Sequence, residues 1–180
     1  MALRSTVFKA EVGIADLDRH YYQDHQLVLA RHPSENDERM MVRLLAFVLN
    51  ANASLEFGRG LSSDDEPALW ERDLTGAVQH WIEVGQPDER LLRRACGKAD
   101  KVSVYAFGRG VDQWWQSNSA LLGKQDKLSV WRLSPQDTGD MAKLAERGMK
   151  LQCTVQDGHV MIAADADTLH IQPQRLTEER

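Results

Sequence analysis

The chain has 180 residues, of which 42% are hydrophobic and 27% charged, and its formal net charge is −5. This length suffices for one domain with its own core, and the composition excludes a wholly disordered chain. The negative balance argues against a protein that coats nucleic acid by bulk positive charge, although a local basic surface would still allow binding.

Cysteine usage and hydropathy indicate the compartment. Cys96 and Cys153 are the only cysteines, so neither a disulfide framework nor a structural zinc set is expected. No run of about 18 apolar residues is present, which predicts no membrane-spanning helix. The first nine residues lack the apolar core of a signal peptide. We expect a cytoplasmic protein.

The N-terminal third predicts a hairpin followed by a helix. Apolar and polar residues alternate with period two over residues 6–14 and return over residues 20–30 after a polar turn. Ser34 is a helix start signal, and apolar residues recur at helical spacing over residues 39–49.

The rest of the chain alternates between strands and helices. Strands are predicted over residues 54–61, 77–84, 102–107, 128–133, 150–155, 159–163 and 169–171. Helices are predicted over residues 88–95 and 112–122, with a helical turn at 68–70. The order of elements from residue 77 to residue 133 predicts an α/β or α+β fold, with one mixed sheet and flanking helices. The tail after Pro173 is expected to be frayed.

Acidic residues mark the places where chemistry is expected. Glu38 lies at the start of the predicted helix, and Asp64, Asp65 and Glu66 form a cluster before a proline. Glu83 lies near the end of an apolar strand, where open α/β sheets commonly bind ligands. A carboxylate buried there needs a partner, and a divalent cation is one candidate.

Several ungapped blocks of the sequence resemble the YaeQ family, in the same order over about residues 1–170. These blocks are ARHPSE (30–35), ERMMVRLL (38–45), DDEP (64–67), WIEVGQPDE (81–89), VY (104–105) and LSVW (128–131). The resemblance implies a single domain over residues 1–180 that is a variant of the PD-(D/E)XK nuclease fold. Its nuclease-like core would span about residues 34–133, and the N-terminal and C-terminal β segments would pack on that core.

In that superfamily a helix supplies a Glu, one strand an Asp, and the next strand a Glu/Asp-x-Lys. The resemblance therefore implies that Glu38, Asp65 or Glu66, and Glu83 form a catalytic set that holds Mg²⁺ or Mn²⁺, with Asp64 as a further choice for the strand acid. The chain departs from this pattern at Gly85, which stands where the lysine is expected. Lys98 is the nearest lysine that could take its place.

The same residues also have ordinary structural interpretations. Glu38 can pair with Ser34 in a capping box, and acids before a proline are common in solvated turns. A basic face, comprising Arg90, Arg93, Arg94, Lys98 and Lys101, could contact phosphates or could simply be solvated.

Three functions are therefore predicted as alternatives. The first is a Mg²⁺-dependent phosphodiesterase that acts on DNA or RNA. The second is a nucleic-acid-binding or regulatory protein that has lost the catalytic lysine, and the third is a protein-interaction module. We expect neither a haem nor a nucleotide cofactor, and the sequence leaves the oligomeric state open.

Overall fold

A computed structural model describes residues 4–59 and 65–179 of the chain. The helices of this part are α1 (Asp37–Asn50), α2 (Glu89–Lys98), α3 (Val111–Leu122) and α4 (Pro135–Lys143). Its strands are β1 (Thr6–Asp16), β2 (Tyr21–Arg31), β3 (Leu55–Phe57), β4 (Leu69–Arg72), β5 (Val78–Val84), β6 (Ala99–Ala106), β7 (Leu128–Arg132), β8 (Gly148–Gln156), β9 (His159–Ala164), β10 (Asp167–Ile171) and β11 (Gln174–Arg175).

The chain divides into two compact units. Unit 1 comprises Met1–Leu49 and Gln136–Pro173, and unit 2 comprises Asn50–Pro135 and Gln174–Arg180. Each unit contains one mixed sheet, so the expectation of a single sheet is wrong. The predicted core of residues 34–133 has its first helix in unit 1 and its remaining elements in unit 2.

The sheet of unit 1 has the strand order β10-β9-β8-β1-β2. β1 and β2 form the predicted hairpin, in which all eleven residues of each strand are paired in register. β1 also runs parallel to β8, which joins the start of the chain to its C-terminal third. Phe8, Ala10, Val12 and Ile14 point to the buried face of this sheet, and the residues between them are more exposed.

Helix α1 is buried on every side along most of its length, since each residue from Met40 to Val48 is buried. A helix of this kind is a core element and needs partners for any charge that it carries. Arg43 is the charged residue of this stretch. Its Nε and Nη2 donate to the two carboxylate oxygens of Glu35 at 2.9 and 2.6 Å, and Nη2 also donates to the backbone oxygen of Ala30 at 3.1 Å. Arg39 donates to the same carboxylate.

The sheet of unit 2 has the strand order β11-β7-β6-β5-β4-β3. β5, β6 and β7 are parallel, and β4 is antiparallel to β5. α2 and α3 connect the parallel strands. The apolar residues of these helices pack with one face of the sheet, in a cluster that includes Trp81, Leu92, Val104 and Leu122.

The structure differs from the predicted elements at three places. Residues 69–72 form β4 rather than a helical turn, because the strand pairs with β5. α4 was not predicted, and the tail expected to be frayed contributes β11, which pairs with β7. Among the described residues, no helix is long and apolar enough to cross a membrane.

Replacing Glu35 with Ala should destabilise the fold by about 3 kcal/mol or more, because Arg43 would remain buried without this carboxylate. Urea unfolding followed by circular dichroism measures the change. The control is Glu56→Ala, which removes an exposed pair with Arg72 at 3.5 Å and should cost at most about 1 kcal/mol. Equal losses in the two variants would contradict the importance of the buried pair.

Candidate functional site

Glu83 lies at the carboxyl end of β5 and is 9% exposed. Its Oε1 accepts a hydrogen bond from Trp81 Nε1 at 3.0 Å. Side chains two apart on a strand share a face, so Glu83 lies on the face of the sheet that α2 and α3 cover. The carboxylate that the sequence singled out is therefore buried and held by an indole donor.

Asp65 and Glu66 lie at the same end of the sheet's strands as Glu83. β4 and β5 are antiparallel and pair Leu69 with Ile82, so the start of β4 lies beside the end of β5. Asp65 and Glu66 come just before β4, while Asp64 lies outside the described residues. The structure thus brings residues of two predicted acidic segments to the same end of the strands of unit 2.

Glu66 is already engaged by an arginine. Its carboxylate accepts from the backbone N–H of Arg59 and from Arg59 Nε, both at 2.9 Å. The backbone hydrogen bond is the main reason why the pKa of Glu66 is lowered. These contacts hold the segment before β4 against the end of β3, which is a structural role.

Glu38 lies in the first turn of α1 and belongs to unit 1. The side chain that caps this helix is Asn36, whose Oδ1 accepts from the backbone N–H of Arg39 at 2.9 Å. Ser34 instead contacts His32 Nδ1 at 2.7 Å. A capping box between Ser34 and Glu38 is therefore not what begins the helix.

Within residues 4–59 and 65–179, no three His, Cys, Asp or Glu side chains are placed so that they could share a metal ion. The predicted ligands Glu38, Asp65, Glu66 and Glu83 are among these described residues.

Gly85 occupies the position where a lysine was expected, and its backbone explains the glycine. Its φ is +94°, a conformation that L residues rarely adopt. Its N–H donates to the backbone oxygen of Tyr105 at 3.0 Å, which ties the end of β5 to the end of β6. A lysine here would carry the backbone strain of a left-handed residue.

The next residue, Gln86, joins the loops that follow β5 and β6. Its Nε2 donates to the backbone oxygens of Phe107 and Arg109 at 3.1 and 3.0 Å. Trp114 of α3 donates through Nε1 to the backbone oxygen of Pro87 at 3.0 Å. The Gly-Gln-Pro segment therefore fixes two strand ends and a helix, and this accounts for these residues without catalysis.

Lys98 is not placed to assist Glu83. It ends α2 immediately before Ala99, which pairs with Val78 at the opposite end of β5. Glu83 lies five steps along the strand from Val78, which is about 16 Å at about 3.3 Å per residue. The interpretation of Lys98 as a substitute for the missing lysine is not supported by this position.

The predicted basic face has four members on α2 rather than five. Arg90, Arg93, Arg94 and Lys98 are exposed on the helix. Lys101 lies on β6, where it pairs with His80 and shares the sheet face of Ser103, the face opposite α2. We call the four helix residues the α2 basic face.

A buried histidine–serine pair was missed by the sequence analysis. His80 Nε2 and Ser103 Oγ are 2.8 Å apart on neighbouring strands, and both residues are buried. Burial, followed by the charge of Lys101, lowers the pKa of His80 to about 4, so the imidazole is neutral at pH 7. The residues are 23 positions apart, and no local pattern joins them.

These features define a mixed α+β protein with two mixed sheets and, among the described residues, four helices. The model of the YaeQ protein family matches residues 1–173, and the chain belongs to this family. The proteins called "Uncharacterized protein YaeQ" of Salmonella typhi and Escherichia coli (strain K12) are each 43% identical to it. They match over 96% and 95% of both chains, respectively.

Two solved structures share the fold. The YaeQ protein from Xanthomonas axonopodis pv. citri has a TM-score of 0.94 and 45% identity, over 97% of this chain and 99% of its own. The YaeQ protein from Pseudomonas syringae has a TM-score of 0.93 and 38% identity, over 97% of each chain. The resemblance stated from the sequence blocks is confirmed at the level of the family.

Gly85→Ala should destabilise the protein by about 1 kcal/mol or more, because alanine is strained at positive φ. Gly97→Ala is the matched control. Gly97 lies within α2, has no positive φ, and has open space around an added Cβ, so alanine should stabilise that helix by about 0.5–1 kcal/mol. Urea unfolding measures the change in the free energy of unfolding, which should have opposite signs in the two variants. Changes of the same sign would contradict the backbone argument.

The neutral state of His80 predicts an acid-sensitive fold. Its pKa in the folded protein is about 4 and its ordinary value is 6.5, so the unfolded chain binds the proton first as the pH falls. This histidine should therefore remove up to about 3 kcal/mol of stability between pH 6.5 and pH 4. Urea unfolding at several pH values should show a shallower loss for His80→Gln, and an unchanged slope would contradict the prediction.

Proposed function

We propose that this protein binds the phosphodiester backbone of nucleic acid through the α2 basic face and does not hydrolyse it. The observation that supports this proposal most is the charge distribution of α2. The helix has four basic residues and one acidic residue, whereas the whole chain has a net charge of −5. A local cationic surface is what a phosphate backbone requires.

The geometry of the helix suits a linear polyanion. At 100° per residue, the four basic side chains fall within an arc of about 140°. Arg90, Arg94 and Lys98 are spaced by four residues, and the first and last are about 12 Å apart along the axis. That distance equals three to four steps of about 3.4 Å along a nucleic-acid strand.

The opposite side of α2 is fully used in packing. Leu92, Ala95 and Cys96 are buried against the sheet of unit 2, so the helix presents its charges from a rigid support. Arg93 pairs with Glu89 at 2.5 Å, which leaves the row of Arg90, Arg94 and Lys98 as the main contact surface.

The absence of hydrolysis is inferred from the end of β5. The resemblance to the PD-(D/E)XK class implies a lysine two residues after Glu83, and Gly85 stands there in a conformation that disfavours one. A cytoplasmic location belongs to the same proposal, because both cysteines are buried free thiols that suit a reducing compartment.

A metal-dependent phosphodiesterase is the second candidate. It is favoured by one observation: Asp65 and Glu66, just before β4, lie at the same end of the sheet's strands as Glu83. The order of a helix acid, a strand acid and an acid on the next strand is also the order that the class would require. Mg²⁺ or Mn²⁺ would be its cofactor.

Fluorescence anisotropy with labelled single-stranded and duplex oligonucleotides tests the proposal. Binding should weaken with salt, with a slope of log K against log salt of about −2.7 for the duplex and about −2.1 for the single strand, since about three phosphates are neutralised. Lys98→Gln should reduce the duplex slope by about 0.9. Lys143→Gln is the matched control, because Lys143 is also the basic residue in the last turn of a helix, here α4.

Binding and cleavage measured on the same protein sample distinguish the two candidate functions. No binding of either oligonucleotide at low salt would overturn the proposed function. Cleavage that requires Mg²⁺ or Mn²⁺ and disappears in Glu83→Gln would establish the second candidate instead. Binding that is lost equally in Lys98→Gln and Lys143→Gln would show that α2 is not the surface involved.

A further inference from the structure

Strand β2 forms one edge of the sheet of unit 1. It is eleven residues long, and within residues 4–59 and 65–179 its one neighbour in the sheet is β1. Two apolar side chains on it are among the most exposed in the described chain, Tyr22 at 56% and Val28 at 60%. Both lie on the open face of the sheet, because residues of even number on β2 point to that face.

The backbone groups that face outward can be assigned from two hydrogen bonds. The N–H of Lys9 on β1 donates to the backbone oxygen of Arg147 at 2.9 Å, so Lys9 points its backbone away from β2. Its partner on β2 is Val28, which therefore also points its N–H and C=O away from β1. The backbone oxygen of Ala30, with the same parity, accepts from Arg43 rather than from β1.

Because the pattern repeats every two residues, Tyr22, Asp24, Gln26 and Val28 present their N–H and C=O at the edge. Among the described residues, no backbone hydrogen bond from another segment reaches these four. A row of unpaired N–H and C=O groups on an exposed edge strand can pair with a strand of another chain. This edge is a template for one more strand.

Apart from the charges of Asp24 and Arg31, the strand lacks the features that usually protect an edge. It contains no lysine and no proline, and its register with β1 runs without a bulge from Tyr21 to Arg31. Natural proteins commonly use those features to prevent edge-to-edge pairing. Their absence over eleven residues favours an edge that is used for association.

We propose that the edge of β2 pairs antiparallel with β2 of a second copy of this chain, with the two-fold axis at His25. In this register Tyr22 lies opposite Val28 of the second copy, and Asp24 lies opposite Gln26. The four outward-pointing residues then exchange both of their backbone hydrogen bonds. The interface is isologous, as a two-fold dimer requires.

The side chains favour this register over the two registers that are shifted from it in either direction. A shift in one direction places Asp24 opposite Asp24 of the second copy, which is a like-charge contact. A shift in the other direction places Asp24 opposite Val28. Only the register centred on His25 joins the exposed aromatic residue to the exposed β-branched residue, a favourable cross-strand pair.

The residues at the axis are compatible with the pairing. His25 holds the hydroxyl of Tyr21 through Nε2 at 2.7 Å and packs edge-on against Phe47. Burial lowers its pKa, so two neutral imidazoles meet at pH 7. The association joins the two five-stranded sheets through their β2 edges.

Sedimentation velocity of the full chain, over a range of concentrations, tests the proposal. The wild-type chain should sediment with twice the mass of one chain. Tyr22→Glu and Val28→Lys should each raise the dimer dissociation constant about tenfold, because each removes two apolar pairs. The dissociation constant of the double variant should return to within about threefold of the wild-type value. In that dimer the introduced carboxylate of one copy would face the introduced ammonium group of the other copy, at two places.

Val7→Lys is the matched control. Val7 is 43% exposed on the same sheet face, but it lies on β1, which has neighbours on both sides. The Val7→Lys variant should leave the dimer dissociation constant unchanged. Far-ultraviolet circular dichroism should show that all variants are folded. A wild-type chain that is monomeric up to about 1 mM would overturn the proposal. So would a double variant that dimerises no better than the single ones.

Discussion

Successive side chains of a β-strand point to opposite faces of the sheet, and this constraint decides where the chemistry of this protein can lie. It places Glu83 with Trp81 on the helix-covered face of unit 2. It places Lys101 with Ser103 on the other face, away from the basic residues of α2. It also sends Tyr22 and Val28 to the open face of unit 1.

The segment after β5 shows how one motif can serve the fold rather than a reaction. Glycine permits the positive φ at position 85, and the carboxamide of Gln86 then reaches the loop after β6. The carbonyl of Pro87 accepts from Trp114 of α3. Each of these residues has a structural reason to be where it is, which weakens the inference from motif to catalysis.

Helix α1 also contains a residue whose contacts serve the fold in two ways. Its one deeply buried cation, Arg43, is neutralised by Glu35 and also bonds the backbone of β2 at Ala30. One guanidinium group therefore satisfies a buried carboxylate and terminates the free edge of a strand. The proposed pairing of β2 begins where that contact ends.

Local pattern was a good guide where one element depends on its own residues. The hairpin of β1 and β2, the helix α1 and the β5–α2–β6–α3–β7 series follow from period-two and helical spacing. β4 and β11 were misjudged because they are short and become strands only by pairing with β5 and β7. α4 has few apolar residues and an internal Gly139, so its signal was weak.

The sequence by itself determined the family, most of the elements, and the residues worth suspecting, because these depend on residue identity and on spacing within one segment. Only the tertiary structure decided which of those residues share a face or an edge. The register of β4 with β5 places Glu66 and Glu83 at the same end of the strands. The register of β5 with β6 separates Lys98 and Lys101 from Glu83. Register joins segments that are distant in the chain, and no local pattern encodes it.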